Sequence, residues 1–450
     1  MRGVRRRRRP EIGGHGQDAG VSPRGPEVEK KAQPLAARIR CVDPGEKARQ
    51  LGRQDGECGH LVPPGTAFRI RASMRMGARR VPFLDLCQRS RCQIGDAHGI
   101  GQPAEHVATL NGLPDISIEN KVRFLQRPEA YGRADAEVLA EETHMSWVFL
   151  VGDRVYKLKK PVRYPFLDFS TIEARERNCR EEVRLNRRLA AHIYLGVVPL
   201  TATPSGELAI DGEGATVDWL VLMRRLPRER MLDRAIGEGT VRRDEIVAIA
   251  DRLAAFYRDA EPAALSAEAF VRQFIHEQAT TRAVLTDPAF GLDHMRVADM
   301  LGRIEDVLRN RAHLLASRVE QGRVVEGHGD LRPEHVCLGP PPVVIDCLEF
   351  NRSLRLVDPL DELTFLGLEC KRLGAGWIGP LILARYAESR SDPPPQELIA
   401  FYWRYRACLR ARLSLVHILE HDRRKPEKWL PLAKQYLALA EAPELSPALP

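Results

Sequence analysis

The sequence predicts an α+β chain in two lobes, a small antiparallel sheet carrying one helix followed by a larger helical lobe. Three observations predict it. Short apolar, β-rich runs joined by Gly-containing links cluster between residues 147 and 223. One long helical pattern lies among them, unbroken by Gly or Pro. After Pro227 the apolar spacing is helical almost throughout. The expected organisation is an N-terminal extension (1–112), an N-lobe (113–226) and a helical C-lobe (227–450) that contains a hairpin within 327–351.

Each element has a local reason. Ile118, Val122, Phe124 and Leu125 space a short amphipathic helix within 117–130. Trp147–Val151 and Arg154–Leu158 flank Gly152-Asp153, the composition of a tight β-hairpin. Asp168–Ala191 reads as a helix, with Ser170 or Thr171 as cap and Glu173 in its first turn. Val197–Leu200 and Ala209–Ile210 lie on either side of Pro204-Ser205-Gly206, and Trp219–Met223 is a further apolar strand. In the second half, Ile246, Ile249, Leu253 and Phe256 mark one helical face, and helices resume through Phe401–Glu420 before a Pro-rich tail.

The extension differs from the rest. Residues 1–110 hold 21 basic and 11 acidic residues, and 48 basic against 50 acidic remain for the other 340. The net charge of +8 therefore belongs to the N-terminal quarter, and the body is near neutral. That quarter begins with Arg5 to Arg9, has Phe68 and Phe83 as its aromatics, and shows no sustained period. It cannot bury enough apolar surface to offset chain entropy, so disorder is expected, and a late start codon is the simplest explanation for it. An arginine run without interleaved aromatics carries no sign of base recognition, so nucleic acid is not the expected partner.

Composition narrows the class further. Apolar residues make up 44% and charged residues 29%, ordinary values for a chain that buries a core. No run approaches the roughly 18 apolar residues of a membrane span. Nine dispersed cysteines with no C-x-x-C pair point to reduced thiols in a cytoplasmic protein. Cys337 and Cys347 read as buried and inert.

The most informative segment is GHGDLRPEHVCLGPPPVVIDCLEFN, residues 327–351. Two short apolar strands, Val336–Leu338 and Val343–Ile345, flank a Gly-Pro-Pro-Pro turn. A hairpin there brings Asp330, His335 and Asp346 to one place. Phosphoryl transfer uses such a set: one carboxylate to orient an acceptor hydroxyl and others to hold a divalent ion against nucleotide phosphates.

These residues resemble the catalytic and metal-binding segments of the aminoglycoside phosphotransferase superfamily, which has a protein-kinase-like fold. ETHMSWVFLVGDRVYKLKKP, FLDFSTIEARERNC and LRLVDPLDELTFLGLECKRLG extend the likeness over roughly 113–430. They look like one bacterial branch whose members are in some cases fused to a P-loop ATP-binding domain; no G-x-x-x-x-G-K-[ST] motif occurs here. The resemblance implies ATP and Mg²⁺ as cofactors and a small-molecule hydroxyl as acceptor. It places Asp330 as catalytic base, Asp346 as the magnesium-binding aspartate, His328 as support of the loop, and Asp361 as the residue steadying that loop. The lysine for the α/β-phosphates is Lys157 or Lys159, which share a strand face. Its acidic partner is Glu181 or Glu182. Trp219–Arg225, with Met223, takes the place of the nucleotide-contacting hinge, and Thr143–Ser146 that of the phosphate loop, without its glycines. His335 stands where the family has a metal-binding asparagine, and imidazole suits Mg²⁺ poorly. A nucleotide-binding module without turnover is the alternative. The basic residues Arg404, Arg406, Arg410 and Arg412 form either a solvated helix face or an anionic-substrate cleft.

Overall fold

In the computed structural model, the residues described are 116–164, 167–393, 395–419 and 426–442, all within one compact unit. The expected extension, 1–112, and the Pro-rich end of the chain lie outside them.

The sheet grows from alternation. Strands β1 (Val138–Glu142), β2 (Ser146–Val151) and β3 (Arg154–Lys159) form a meander, with Gly152 at φ +55° in the β2–β3 link. That left-handed conformation favours glycine. Arg163–Tyr164 (β4) and Leu167–Asp168 (β5) make a separate two-stranded ribbon before helix α2 (Ile172–Ala190). After that helix come β6 (Tyr194–Ala202), β7 (Leu208–Ile210) and β8 (Ala215–Arg224), giving an antiparallel sheet of order β1-β2-β3-β8-β6-β7. Successive side chains point to opposite faces. On β3, Leu158 joins a core with Phe149, Leu200, Leu220 and helix α1 (Ile118–Leu125), while Val155 joins Val183, Tyr194, Val221 and Met223 on the other face. Lys157 and Lys159 share the parity of Val155, and so face helix α2.

Two boundaries differ from the sequence expectation. The first helix stops at Leu125, and Pro128–Tyr131 forms a separate 3-10 turn, because the residue before a proline is driven out of helical space. Helix α2 spans Ile172–Ala190 rather than starting at Asp168. Thr171 is its cap, accepting from the Ala174 N–H, while Ser170 hydrogen-bonds to Asp168 instead. The buried stripe of α2 carries Arg175, Cys179, Glu182, Asn186 and Leu189, spaced three or four apart. A stripe this polar can be buried only if each polar group meets a partner.

The second lobe is helical: α3 (Leu232–Gly237), α4 (Arg243–Asp259), α5 (Ala267–Leu285), α6 (His294–Asn310), α7 (His313–Glu320), α8 (Pro359–Arg372), α9 (Ile378–Arg390), α10 (Gln396–Leu419) and α11 (Pro426–Glu441). They enclose one large apolar core, including Ile249, Leu253, Phe274, Leu366, Tyr402 and Trp403. Between α7 and α8 the chain forms β9 (Val325–Glu326), β10 (Val336–Cys337), β11 (Val343–Val344) and β12 (Leu356–Val357). The expected hairpin is present, Val336 opposite Val344 and Cys337 opposite Val343, and the Ile345 N–H extends it to the His335 carbonyl at 2.9 Å. Cys337 and Val343 pack into the sheet's α2-side core, which seats the hairpin under the N-lobe. The lobes also meet through rings: His144, in the β1–β2 turn, stacks on His417 of α10, which stacks on Trp429 of α11.

No described helix is long and apolar enough to cross a membrane. The five described cysteines are buried and unpaired.

Asp218 on β8 is the most buried acid of the sheet, and three charged groups meet there. Arg175 reaches both its oxygens, at 2.8 and 3.1 Å, and Lys121 of α1 reaches one at 2.9 Å. Removing the acid strands two cations in the interior. Asp218→Ala is therefore expected to cost roughly 3–5 kcal/mol of stability, read as a lowered denaturant midpoint. A loss under 1 kcal/mol would refute that account.

Candidate active site

The β3 lysines, helix α2 and the segment after β11 converge in one charged network. Lys157 bonds Glu182 Oε1 and Asp346 Oδ1, both at 2.9 Å. Lys159 bonds Glu182 Oε2 at 2.6 Å and Glu349 Oε1 at 2.5 Å. The two lysines therefore use opposite oxygens of one carboxylate, and each takes a further acid from residues 346–349. Glu182 is fully buried, whereas its neighbour Glu181 turns outward to Arg184 and Arg355, each at 2.7 Å. A 100° step separates adjacent helix positions, so one of the pair had to leave the cleft. The lysines also differ. Lys159 has a side chain only 1% exposed and lies over the Phe169 ring, whereas Lys157 is 15% exposed and faces the half-exposed Asp346.

Electrostatics follow from these contacts. Lys157 dominates Asp346, and with His335 it holds that carboxyl far below its ordinary range despite burial. Burial opposes charge on Glu182, yet the two lysines outweigh it and lower its pKa. Glu349, with one lysine and the nearby Glu182 charge, is raised by burial. Asp346 has a left-handed backbone, φ +60°, and its N–H donates to the Tyr194 hydroxyl at 3.1 Å.

The loop before the hairpin is held from two sides. His328 is buried; its Nε2–H donates to the Ile345 carbonyl at 2.8 Å, and its Nδ1 accepts the Asp330 N–H at 3.3 Å. Burial lowers its pKa, which keeps the ring neutral. From below, Glu362 accepts the His328 N–H at 3.0 Å and the Gly329 N–H as well, and the Tyr257 hydroxyl donates to it at 2.8 Å. Any side chain at Gly327 would collide with this carboxylate, since a Cβ there would lie 2.4 Å from Glu362 Oε2. Glu362 therefore does what was expected of Asp361, whose oxygens are taken by Arg406 at 2.7 and 2.6 Å. From α2, Arg188 donates to the carbonyls of Glu326 and Gly327 at 2.7 Å, and Asn186 accepts the Cys347 N–H at 2.8 Å.

The structure brings together Lys157, Lys159, Glu182, Asp346 and His335, and places Asp330 on the far side of His335. The Asp330 carboxylate, 30% exposed, takes Arg332 Nε at 3.0 Å. Burial pushes its pKa up, but the Arg332 guanidinium beside it outweighs that and holds it low. His335 Nδ1 donates to the Asp330 carbonyl at 2.8 Å, and its Nε2 lies 3.6 Å from Asp346 Oδ2. Met223 sits in the sheet interior opposite Val155 and Tyr194, its side chain nearly buried. The chain leaves the sheet just beyond it, at Arg225, whose N–H donates to the Asp153 carbonyl at 2.8 Å. The Thr143–Ser146 turn is closed by hydrogen bonds between these two residues, 2.8 Å from the Thr143 N–H to the Ser146 carbonyl. Sequence reasoning missed Arg332, Tyr194, Glu349 and Glu362. Glu349, three residues beyond Asp346, and Arg332, two beyond Asp330, stood in the quoted motif.

The basic residues of α10 do not form a single face. Arg406 pairs with Asp361, Arg412 with Glu277 at 2.8 Å, and Arg410 turns toward Glu369 at 3.3 Å, while Arg404 lines a groove against α6.

No family model matches the chain. The uncharacterized proteins Mb2027c of Mycobacterium bovis and Rv2004c of Mycobacterium tuberculosis are each 33% identical over 322 residues, 67% of this chain. The match spans 60% of the length of these curated relatives. Among solved structures, a GDP complex of aminoglycoside 2'-phosphotransferase-IIIa is 15% identical, covering 72% of this chain and 98% of its own, with a TM-score of 0.39. A choline/ethanolamine kinase family protein from Mesorhizobium loti is 13% identical, covering 73% and 95%, with a TM-score of 0.41. A thermostable mutant of aminoglycoside phosphotransferase APH(4)-Ia is 16% identical, covering 72% and 99%, with a TM-score of 0.42.

The Lys157–Asp346 pair makes a pH prediction. The folded pKa of Asp346 lies below the unfolded value of about 3.9. Its stabilisation is thus complete above that value and is lost as pH falls through the lower, folded one. Urea midpoints measured between pH 7 and pH 3 are expected to fall more steeply for the wild type than for Asp346→Asn. Parallel curves would contradict the assignment. The described residues thus form an α+β fold, an antiparallel sheet followed by a larger helical part, in a chain similar in sequence to the two mycobacterial proteins over 67% of its length.

Proposed function

We propose that the protein is an ATP-dependent phosphotransferase that transfers the terminal phosphoryl group to a hydroxyl of a small molecule. The observation that supports this reading is the network Lys157–Glu182–Asp346, with His335 beside Asp346 and hydrogen-bonded to the Asp330 carbonyl. Phosphoryl transfer asks the protein mainly for positioning and charge stabilisation. Lys157, held by Glu182, is the cation for the nucleotide phosphates, because it is the lysine that reaches the cleft. Lys159 is buried and positions Glu182 and Glu349. The connector after Met223 is the place for the nucleotide base.

Asp330 orients the acceptor hydroxyl. The acceptor oxygen bonds to the terminal phosphorus as the bond to the nucleoside diphosphate breaks, and the hydroxyl proton passes to Asp330. A carboxylate held at low pKa is a weak base, so its main contribution is orientation. Arg332, beside Asp330, offers a guanidinium to the transferring group. The residues fit a divalent ion at Asp346, whose ionised carboxylate opens to the cleft; His335 does not suit Mg²⁺ as a direct ligand. When bound, such an ion neutralises phosphate charge. The acceptor's identity belongs to the C-lobe surface near Arg332 and Arg410, and fold alone does not specify it.

A second reading, a nucleotide-binding module without turnover, is favoured by His335 and by the engagement of both aspartates with cations. Assays with γ-labelled ATP and a panel of polyols, amino alcohols and amino sugars separate the two. Asp330→Asn is expected to lower turnover by about 10²–10⁴-fold with nucleotide binding retained. Lys157→Ala should raise the nucleotide KM, and Lys159→Ala should lower the melting temperature first. Nucleotide binding without transfer to any acceptor supports the module, and turnover unchanged in Asp330→Asn overturns the assigned role.

A further inference from the structure

We propose that the groove between α6 and α10 is a binding site for a small monocarboxylate with an apolar body, and that Arg404 holds the carboxylate. None of the groove's residues belongs to the charged network around Glu182.

The space exists because small residues border it. Gly302 of α6 and Ala400 of α10 both line the groove, and a Cβ added at Gly302 would meet nothing within 4 Å. The cavity between the helices is about 550 Å³, within the range of small-ligand pockets. Its apolar lining comes from Ile304, Val307 and Phe401, each a buried member of the C-lobe core. The groove continues toward the end of α11, where Ala440 and Glu441 border it.

Charge is shared unevenly around this lining. Four arginines and four acids border the groove, yet their ion pairs leave one arginine over. Arg303 takes Asp299 at 2.9 Å, Arg296 takes both oxygens of Glu441 at 2.7 and 2.5 Å, and Arg311 takes both Asp306 and Glu397. Arg404 has no ion pair or hydrogen bond among the described residues, and its Nε is buried without a partner. Burial and the neighbouring Arg303 lower its pKa, but a guanidinium keeps its charge. A buried polar atom left unpaired is costly and rare in a native fold, and it marks where an acceptor is missing. A carboxylate on this guanidinium supplies the charge and the acceptors it lacks. A dianion such as a phosphate ester fits less well, because the acids around the groove oppose a second negative charge. The apolar lining then meets the body of the ligand.

Calorimetric titration and thermal melting of the full chain with hexanoate and benzoate test this, with hexanamide, benzamide and phenyl phosphate as comparisons. The carboxylates are expected to bind saturably and to raise the melting temperature, and the amides to do neither. Arg404→Met, close in length but uncharged, is expected to melt no lower than the wild type without ligand. It should bind the carboxylates at least about ten-fold more weakly. Gly302→Leu, placed in open space and better suited to a helix, is expected to fold and to lose binding by filling the groove. Equal binding of amide and carboxylate, or carboxylate binding unchanged in either variant, overturns the proposal. So does tighter binding of phenyl phosphate than of benzoate, or no binding of any probe at about 10 mM.

Discussion

A carboxylate buried without cations loses its charge or unfolds its surroundings. Glu182 is buried in the middle of this molecule, and the arrangement of the cleft depends on how its two oxygens are satisfied. Each takes one lysine of β3, and each lysine continues to an acid in the segment after β11. Strand, helix and the segment after β11 are thereby joined through five charged groups. The network carries three acids and two lysines, an excess of negative charge beside a cleft open to solvent at Asp346. Asp346 can face that cleft as an ion because Lys157 keeps it ionised, and Lys157 can stay there because Glu182 fixes it from behind.

Helix α2 extends this control to the other lobe. Its buried stripe spends Arg175 on the sheet, Glu182 on the lysines and Asn186 on the backbone after Asp346. At its end, Arg188 grips two carbonyls of the loop that leads to Asp330. The same loop is gripped from beneath by Glu362. A rigid loop between an N-lobe helix and a C-lobe helix holds Asp330 and His335 at a set distance from Asp346.

The guanidinium groups show how burial redirects charge. Read along α10, four arginines looked like one basic face. In the fold, three of them turn to acids on two neighbouring helices, Arg406 and Arg410 to α8 and Arg412 to α5, and the surface they promised is divided among internal ion pairs.

Much of this was legible in the sequence, and the reasons are local. Alternation and the Gly152 link specify the β2–β3 hairpin, Thr171 specifies the start of α2 once the chain turns there, and the Pro-rich turn between two apolar runs specifies the hairpin that carries Asp346. Period-two geometry placed Lys157 and Lys159 on one face, and helical spacing placed one of Glu181 and Glu182 inside. Local rules end at that point. Which glutamate faces inward depends on how α2 is rotated against the sheet, a packing outcome among Cys179, Val183 and Met223. That both lysines share it, that Glu349 joins them, and that Glu362 rather than Asp361 holds the loop are contacts between segments as much as 190 residues apart in the chain. Sequence spacing determines which side chains share a face; only tertiary packing decides which of them meet, because partners in a buried ion network are chosen by the cost of leaving any one of them alone.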